Sequence, residues 1–350
     1  MSTEKLSEAE NAAIANFREY LRIPSVHPNI NYDECVSFLR RQASTLGLPI
    51  QVYHVVEGKP IVVITWRGSE PALPAILLNS HMDVFPTSNL RWQREPFAAE
   101  MDEEGNIFAR GTQDTKAVGI QYMEAVRWIR AAGLTLRRTV HIAFTPGEST
   151  TPLSVNIHCT SPNRKSSTEK VQIIVDHFMR FRQEQKVKLD SNPQLTPRDL
   201  TSMTLKAVKD AESELVLVFD VRVSPTEDCS TLEDLFSSWC ESAGPGTYVS
   251  YEDKPTNSGL THLDTCNPWW LTFRDECQAM NIELNPMICP GITDARHYRK
   301  VGLPALGFSP INNTPYLVHE ADEFLNRKIF LDGINIYFRL ISALANVPAH

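Results

Sequence analysis

The chain has 350 residues, and 42% of them are hydrophobic, enough for one large or two ordinary cores. Its formal net charge of -8 argues against nucleic acid or an anionic membrane surface as the main partner. No apolar run approaches the length of a membrane span, and the polar start MSTEKLSEAENAAI has no apolar signal core, so a cytoplasmic protein is expected.

In chain order, Ser7 to Leu21 carries apolar residues at helical spacing, and Tyr32 to Leu46 does so again. Strands are expected at IVVITW (61–66), AILLNS (75–80) and TVHIAFT (139–145), with a helix from Thr115 to Ala132 between the last two. Short apolar runs separated by helices point to βαβ units, and in such sheets ligands bind beyond the carboxyl ends of the strands. From Ser149 to Glu169 the sequence is polar and shows no clear period. Then come a helix (Thr168 to Lys186), the linker SNPQLTP, an antiparallel-type strand ELVLVFDVRV (214–223) and a helix from Ser230 to Ala243. Asn267-Pro268 opens another helix, LPALGFSP reads as a buried strand, and Phe324 to Leu344 as a closing amphipathic helix. The fold class is therefore α/β, a mixed and mainly parallel sheet flanked by helices, with a smaller α+β domain inserted. Residues 1–153 and 262–350 form the larger domain and 154–261 the insert. Seven scattered cysteines, odd in number and without a C-x-x-C, read as reduced and mostly buried thiols.

Five stretches carry candidate chemistry. AILLNSHMDVFP ends a strand in His81 and Asp83, which point to one side of an extended chain. His81 suits a metal and Asp83 suits fixing a ring's tautomer, although a polar strand exit reads equally well. In ARGTQDTKA, Asp114 is either a helix N-cap or a carboxylate able to bridge two cations. PYLVHEADEF offers His319, a residue type more often structural than ligating. GITDARHYRK offers Arg296, whose guanidinium suits a carboxylate. HIAFTPGESTTP delivers a single acid, Glu148, to a strand's end.

In this order, LLNSHMDVFP, ARGTQDTK, FTPGES, CNPWW, ITDAR and GLPALGFSPINNTPYLVHEADE resemble the zinc-dependent M20 peptidase family, and within it the aminoacylase-1 branch. The resemblance runs from FREYLRI to about Phe144 and from about Ser161 to ISALANVPA. It implies a zinc-peptidase-like catalytic domain with a lid domain at 154–261, and two zinc ions per chain. His81 and His319 would each bind one zinc, Asp114 would bridge them, Asp83 would orient His81, and Arg296 would hold the substrate carboxylate. Counting back from Glu169-Lys170 places His158 over the lid histidine that helps polarise the scissile carbonyl. The implied activity is hydrolysis of N-acyl-L-amino acids by a cytoplasmic homodimer joined through the lid.

The chain departs from the family at two places. The family tetrad Pro-Asp-Glu-Glu reads Pro146, Gly147, Glu148, Ser149 here, so Glu148 falls on the general base and Ser149 on a zinc ligand. Several tens of family residues are then absent, with a further zinc carboxylate and at least one strand. A smaller gap between Lys209 and Glu214 takes a substrate-binding asparagine. Catalytic zinc needs three protein ligands and an open position, and each zinc would be one ligand short. Two readings follow: an impaired amidohydrolase with a truncated fold, or a non-catalytic relative, diverged or exon-skipped, that binds zinc or substrate weakly or serves a partner subunit.

Overall fold

The computed structural model describes residues 7–88, 90–147, 153–160, 164–197, 199–211, 214–224, 227–252, 259–289 and 293–348. Ser7 opens helix α1 (Glu8–Leu21): its hydroxyl accepts from the Glu10 N–H at 3.2 Å, and the Glu10 carboxylate accepts from the Ser7 N–H at 2.7 Å. This reciprocal cap satisfies donors that the first helical turn leaves unpaired. The inward stripe of α1 buries Phe17, Tyr20 and Leu21 completely. Phe17 stacks on Phe330 at 4.4 Å and Tyr20 on Phe38 at 4.8 Å, and full burial of each such ring stabilises the fold by about 2–3 kcal/mol.

Helix α2 (Asp33–Leu46) is followed by β1 (Ile50–Val56), β2 (Lys59–Trp66), β3 (Ile76–His81), β4 (Glu100–Met101), β5 (Asn106–Phe108), α3 (Lys116–Ala131) and β6 (Val140–Thr145). The first sheet has the order β1-β2-β6-β3. Its class is mixed α/β as read; within this sheet β3 and β6 pair in parallel, while β1 with β2 and β2 with β6 pair antiparallel, so the expected parallel majority is not seen in it. A parallel neighbour needs a crossover of a dozen or more residues, and in this sheet the passage through α3 supplies the one between β3 and β6. By contrast, β1 and β2 close as a tight hairpin.

The chain continues through β7 (Leu153–Thr160), α4 (Arg164–Ser191), β8 (Ser202–Ala211), β9 (Glu214–Arg222), α5 (Cys229–Ala243) and β10 (Thr247–Tyr251). These strands form an antiparallel sheet of order β10-β7-β9-β8. Strand β7 corrects the reading of 149–169 as aperiodic. Val155, Ile157 and Cys159 alternate with Asn156 and His158, and the apolar set is fully buried against Ile174, Phe219 and Phe236. A half-buried strand shows a period of two, which the polar alternates obscure.

The last elements are α6 (Pro268–Ala279), α7 (Ala295–Lys300), β11 (Phe324–Asn326) and α8 (Arg327–Leu344). Asn267 caps α6 as expected, accepting from the N–H groups of Trp269 and Trp270 at 3.1 Å. The expected strand at LPALGFSP is not one: 303–310 pairs with no strand among the described residues, and Leu303 and Leu306 are exposed. Without a neighbour to take its backbone groups, an apolar run has no ladder to join.

The described residues group into two compact units, one of Met1–Ser149, Leu263–Leu284 and Phe308–His350, the other of Thr150–His262 and Asn285–Gly307. The division differs from the sequence-based one in giving 285–307 to the second unit. All seven cysteines are free, five of them buried. No helix of the described residues is long and apolar enough to cross a membrane.

Candidate metal centre

Strand β3 carries His81 at its end, in parallel register with Thr145 on β6. The His81 ring is anchored at Nδ1, which lies 3.0 Å from the Asp83 carbonyl oxygen and 3.1 Å from Asp83 Oδ1. By angle the hydrogen bond goes to the carbonyl, and the carboxylate contact is electrostatic. Nδ1 therefore carries the proton and Nε2 is directed outward. Burial would raise the Asp83 carboxyl pKa, but His81 and His27 outweigh it and hold it below the usual range.

Asp114 is not the cap of α3. Thr115 occupies that position, without a side-chain cap bond. The Asp114 carboxylate instead turns one oxygen to each of two histidines: Oδ1 lies 3.1 Å from His81 Nε2, and Oδ2 lies 3.1 Å from His319 Nε2. Asp114 thus touches both histidine rings and does not cap α3. Burial favours the neutral His81 ring, but Asp114 and Asp83 outweigh it and hold its pKa well above the ordinary value. Burial also opposes ionisation of Asp114, but His319 and His81 hold its carboxyl well below the carboxylate range. Two imidazole nitrogens and both oxygens of one carboxylate suit two borderline divalent cations in kind and direction. Among the described residues each cation would find two protein donors here, one imidazole nitrogen and one carboxylate oxygen.

The partners of these loops were not legible in the sequence. Glu323 is fully buried and accepts from Arg110 Nη1 at 2.7 Å, Gln113 N at 2.6 Å and Thr112 Oγ1 at 3.2 Å. Arg110 also donates to the carbonyls of Glu320 and His319 at 3.1 and 3.3 Å. The Gln113 side chain bonds the main chain at Pro315, Leu317 and Phe324. These bonds lace 110–113 to 315–324 and so bring Asp114 to His319. Gly111 serves the same turn, with a φ of 93° and no room for a side chain beside Val84. His319 itself has a φ of 68°, a strained conformation for a non-glycine residue, and its ring stacks on Phe85 at 4.1 Å.

His158 and Arg296 belong to the second unit. His158 lies within β7 opposite Tyr248, on whose ring it stacks at 4.4 Å. Its Nδ1 is 3.1 Å from Glu214 and its Nε2 is 2.8 Å from Ser250, so both ring nitrogens are engaged. Arg296 sits in the first turn of α7, with Nε 3.1 Å from His297 Nε2. Glu148 lies outside the described residues, as does Ser149.

Residues 77–343 match the sequence profile of Peptidase family M20/M25/M40. The mouse protein named Aminoacylase-1 is 37% identical over 99% of this chain and 98% of its own length, and human Aminoacylase-1 is 36% identical over the same shares. The mouse alignment spans 401 positions against 350 residues here, so that relative carries several tens of residues that this chain lacks. Among solved structures, an M20 family metallo-carboxypeptidase from Sulfolobus solfataricus superimposes with a TM-score of 0.70 at 13% identity, covering 97% of this chain and 100% of its own. The Bacillus subtilis YXEP protein, described as a dinuclear metal-binding peptidase of the M20 family, gives 0.67 at 13% identity over 97% and 98%. These two show a shared fold.

Proposed function

The chain belongs to Peptidase family M20/M25/M40, an amidohydrolase by lineage, and on that premise we propose an aminoacylase-type zinc enzyme for N-acyl-L-amino acids whose turnover is impaired. The observation that carries the reading is the single carboxylate of Asp114 shared by His81 and His319 at 3.1 Å on either side. When bound, a divalent cation at this place supplies Lewis acidity toward an acyl carbonyl and acidifies water. His81, Asp114 and His319 would hold it, and Asp83 keeps the His81 proton on Nδ1 so that Nε2 presents its lone pair. In the reaction a water oxygen bonds to the acyl carbon and the amide C–N bond breaks. Glu148 takes the water's proton and returns it to the leaving amine. Arg296 pairs with the free carboxylate of the substrate, excluding N-acyl amines that lack one. Zinc as the metal, cytoplasmic placement and pairing of two chains through the second unit belong to the same proposal.

Impairment follows from the donor count. Two described protein donors per cation, where catalytic zinc takes three, predict weak metal retention and slow hydrolysis. The same count favours a second reading, a non-catalytic relative that binds zinc or substrate and acts beside an intact subunit. Hydrolysis of N-acetyl-L-methionine by the purified chain, with zinc added and with chelator, separates them. The first reading predicts slow, chelator-sensitive release of methionine that Asp114→Asn abolishes. Release that survives both would sink it, and no release at any zinc concentration would leave the second reading standing.

A further inference from the structure

Residues 25–27 zip onto the exit of β3. Ser25 Oγ donates to the Met82 carbonyl at 2.6 Å, Val84 N to the Ser25 carbonyl at 2.8 Å, and His27 N to the Val84 carbonyl at 3.4 Å. This short parallel ladder delivers the His27 ring to the far side of Asp83, where Nε2 lies 2.6 Å from Oδ2. Asp83 is buried, and its two oxygens are divided: Oδ2 toward His27, Oδ1 at 3.1 Å from His81 Nδ1. The third side is closed by Gly147. A Cβ built there would fall 1.8 Å from both carboxylate oxygens, so the carboxylate rests against bare main chain.

We propose that His27 is a positioning residue for the metal centre: it holds the Asp83 carboxylate, and with it the Asp83 main-chain carbonyl that accepts from His81 Nδ1, and so steadies the tautomer and direction of the His81 ring. Among the described residues His27 gives the buried Asp83 carboxylate its hydrogen bond, at Oδ2, while Oδ1 has none, so without His27 the carboxylate turns to find a donor and carries with it the carbonyl that fixes His81 Nδ1. Outer hydrogen-bond partners of metal-binding histidines act in this way on affinity. The inference rests on the reading of His81 as a metal ligand and is independent of which substrate the site accepts.

The test compares the full chain with His27→Ala and with His27→Gln, whose amide nitrogen can reach the place of the imidazole Nε2. Zinc affinity is measured by competition with a chromophoric chelator. The His81 15N signals are recorded in metal-free protein at a pH where that ring is neutral, and thermal unfolding in chelator serves as the fold control. The expected result is a loss of about 10- to 100-fold in zinc affinity for His27→Ala. A His81 ring no longer protonated mainly at Nδ1 should accompany that loss, with both readouts largely restored in His27→Gln. Unchanged affinity and unchanged 15N shifts in a folded His27→Ala chain overturn the proposal. If the parent chain takes up no zinc, the metal reading itself fails, and the tautomer signal alone decides the role of His27: a shift in His27→Ala supports it and no shift ends it.

Discussion

His81 and His319 face the same carboxylate at the same distance of 3.1 Å, yet they are held by different means. On the His81 side the ring is ordered directly, with its Nδ1 beside Asp83 and Asp83 held in turn by His27. On the His319 side the main chain is ordered by the buried Arg110–Glu323 pair, while the ring is steadied by stacking on Phe85. Directional hydrogen bonds fix a ligand's lone pair, whereas stacking fixes only its plane. The His81 half should therefore bind the first and tighter cation.

The largest effect expected from breaking this arrangement is on the fold itself. Burial pushes the Glu323 carboxyl pKa up, against the pull of the Gln113 N–H and the Arg110 guanidinium. Removing one partner leaves the other buried, so Arg110→Met should cost about 3–5 kcal/mol in denaturant unfolding. The double variant Arg110→Met with Glu323→Gln should recover part of that loss. A cost of Arg110→Met below about 1 kcal/mol would show that the pair does not brace the His319 loop.

A somewhat smaller effect tests the scaffold beside His81. Lys116 is fully buried and donates to the carbonyls of Tyr20 and Ile23 at 3.1 and 2.7 Å. Burial pushes its ammonium pKa down to about 8, against the opposing pull of Cys35 and Asp83, from an ordinary 10.5. Between those values the unfolded chain holds more protons than the folded one, so stability from this group rises with pH across the window. The rise should reach about 3 kcal/mol in the parent relative to Lys116→Met, read from unfolding curves at either end. A flat difference would place the lysine in a wetter setting than the structure gives it.

The smallest effect sharpens the comparison. Phe85→Leu removes the stacking under His319 and leaves Asp83 untouched. It should weaken the second cation by roughly threefold, in line with the modest worth of a ring contact, and leave the first unchanged. Equal weakening of both would mean that the two halves do not differ as described.

How much of this was legible in the sequence depends on distance along the chain. The cap at Asn267 and the helical stripe of α1 are local, and the sequence placed them within a residue. His81, Asp83, Asp114 and His319 were singled out because each follows an apolar run or opens a helix, and the structure brings the four together. Glu323 and His27 gave no such signal. Glu323 sits in an acidic turn that reads as solvated, and only the return of 315–324 onto 110–113 buries it. His27 matters because residues 25–27 ladder onto 82–84, a pairing across more than fifty residues that no local period encodes. The polar alternates of β7 hid its period of two, and the apolar run at 303–310 suggested a strand for which the described residues hold no partner.

The most direct test of the shared-carboxylate centre is the zinc content of the purified chain after dialysis against a weak chelator, with Asp114→Asn treated alongside. The account predicts that the parent keeps part of its zinc, with the His81 half filled before the other, and that a folded Asp114→Asn chain keeps none. A folded parent that emerges free of zinc, or an Asp114→Asn chain that keeps as much as the parent, would contradict it.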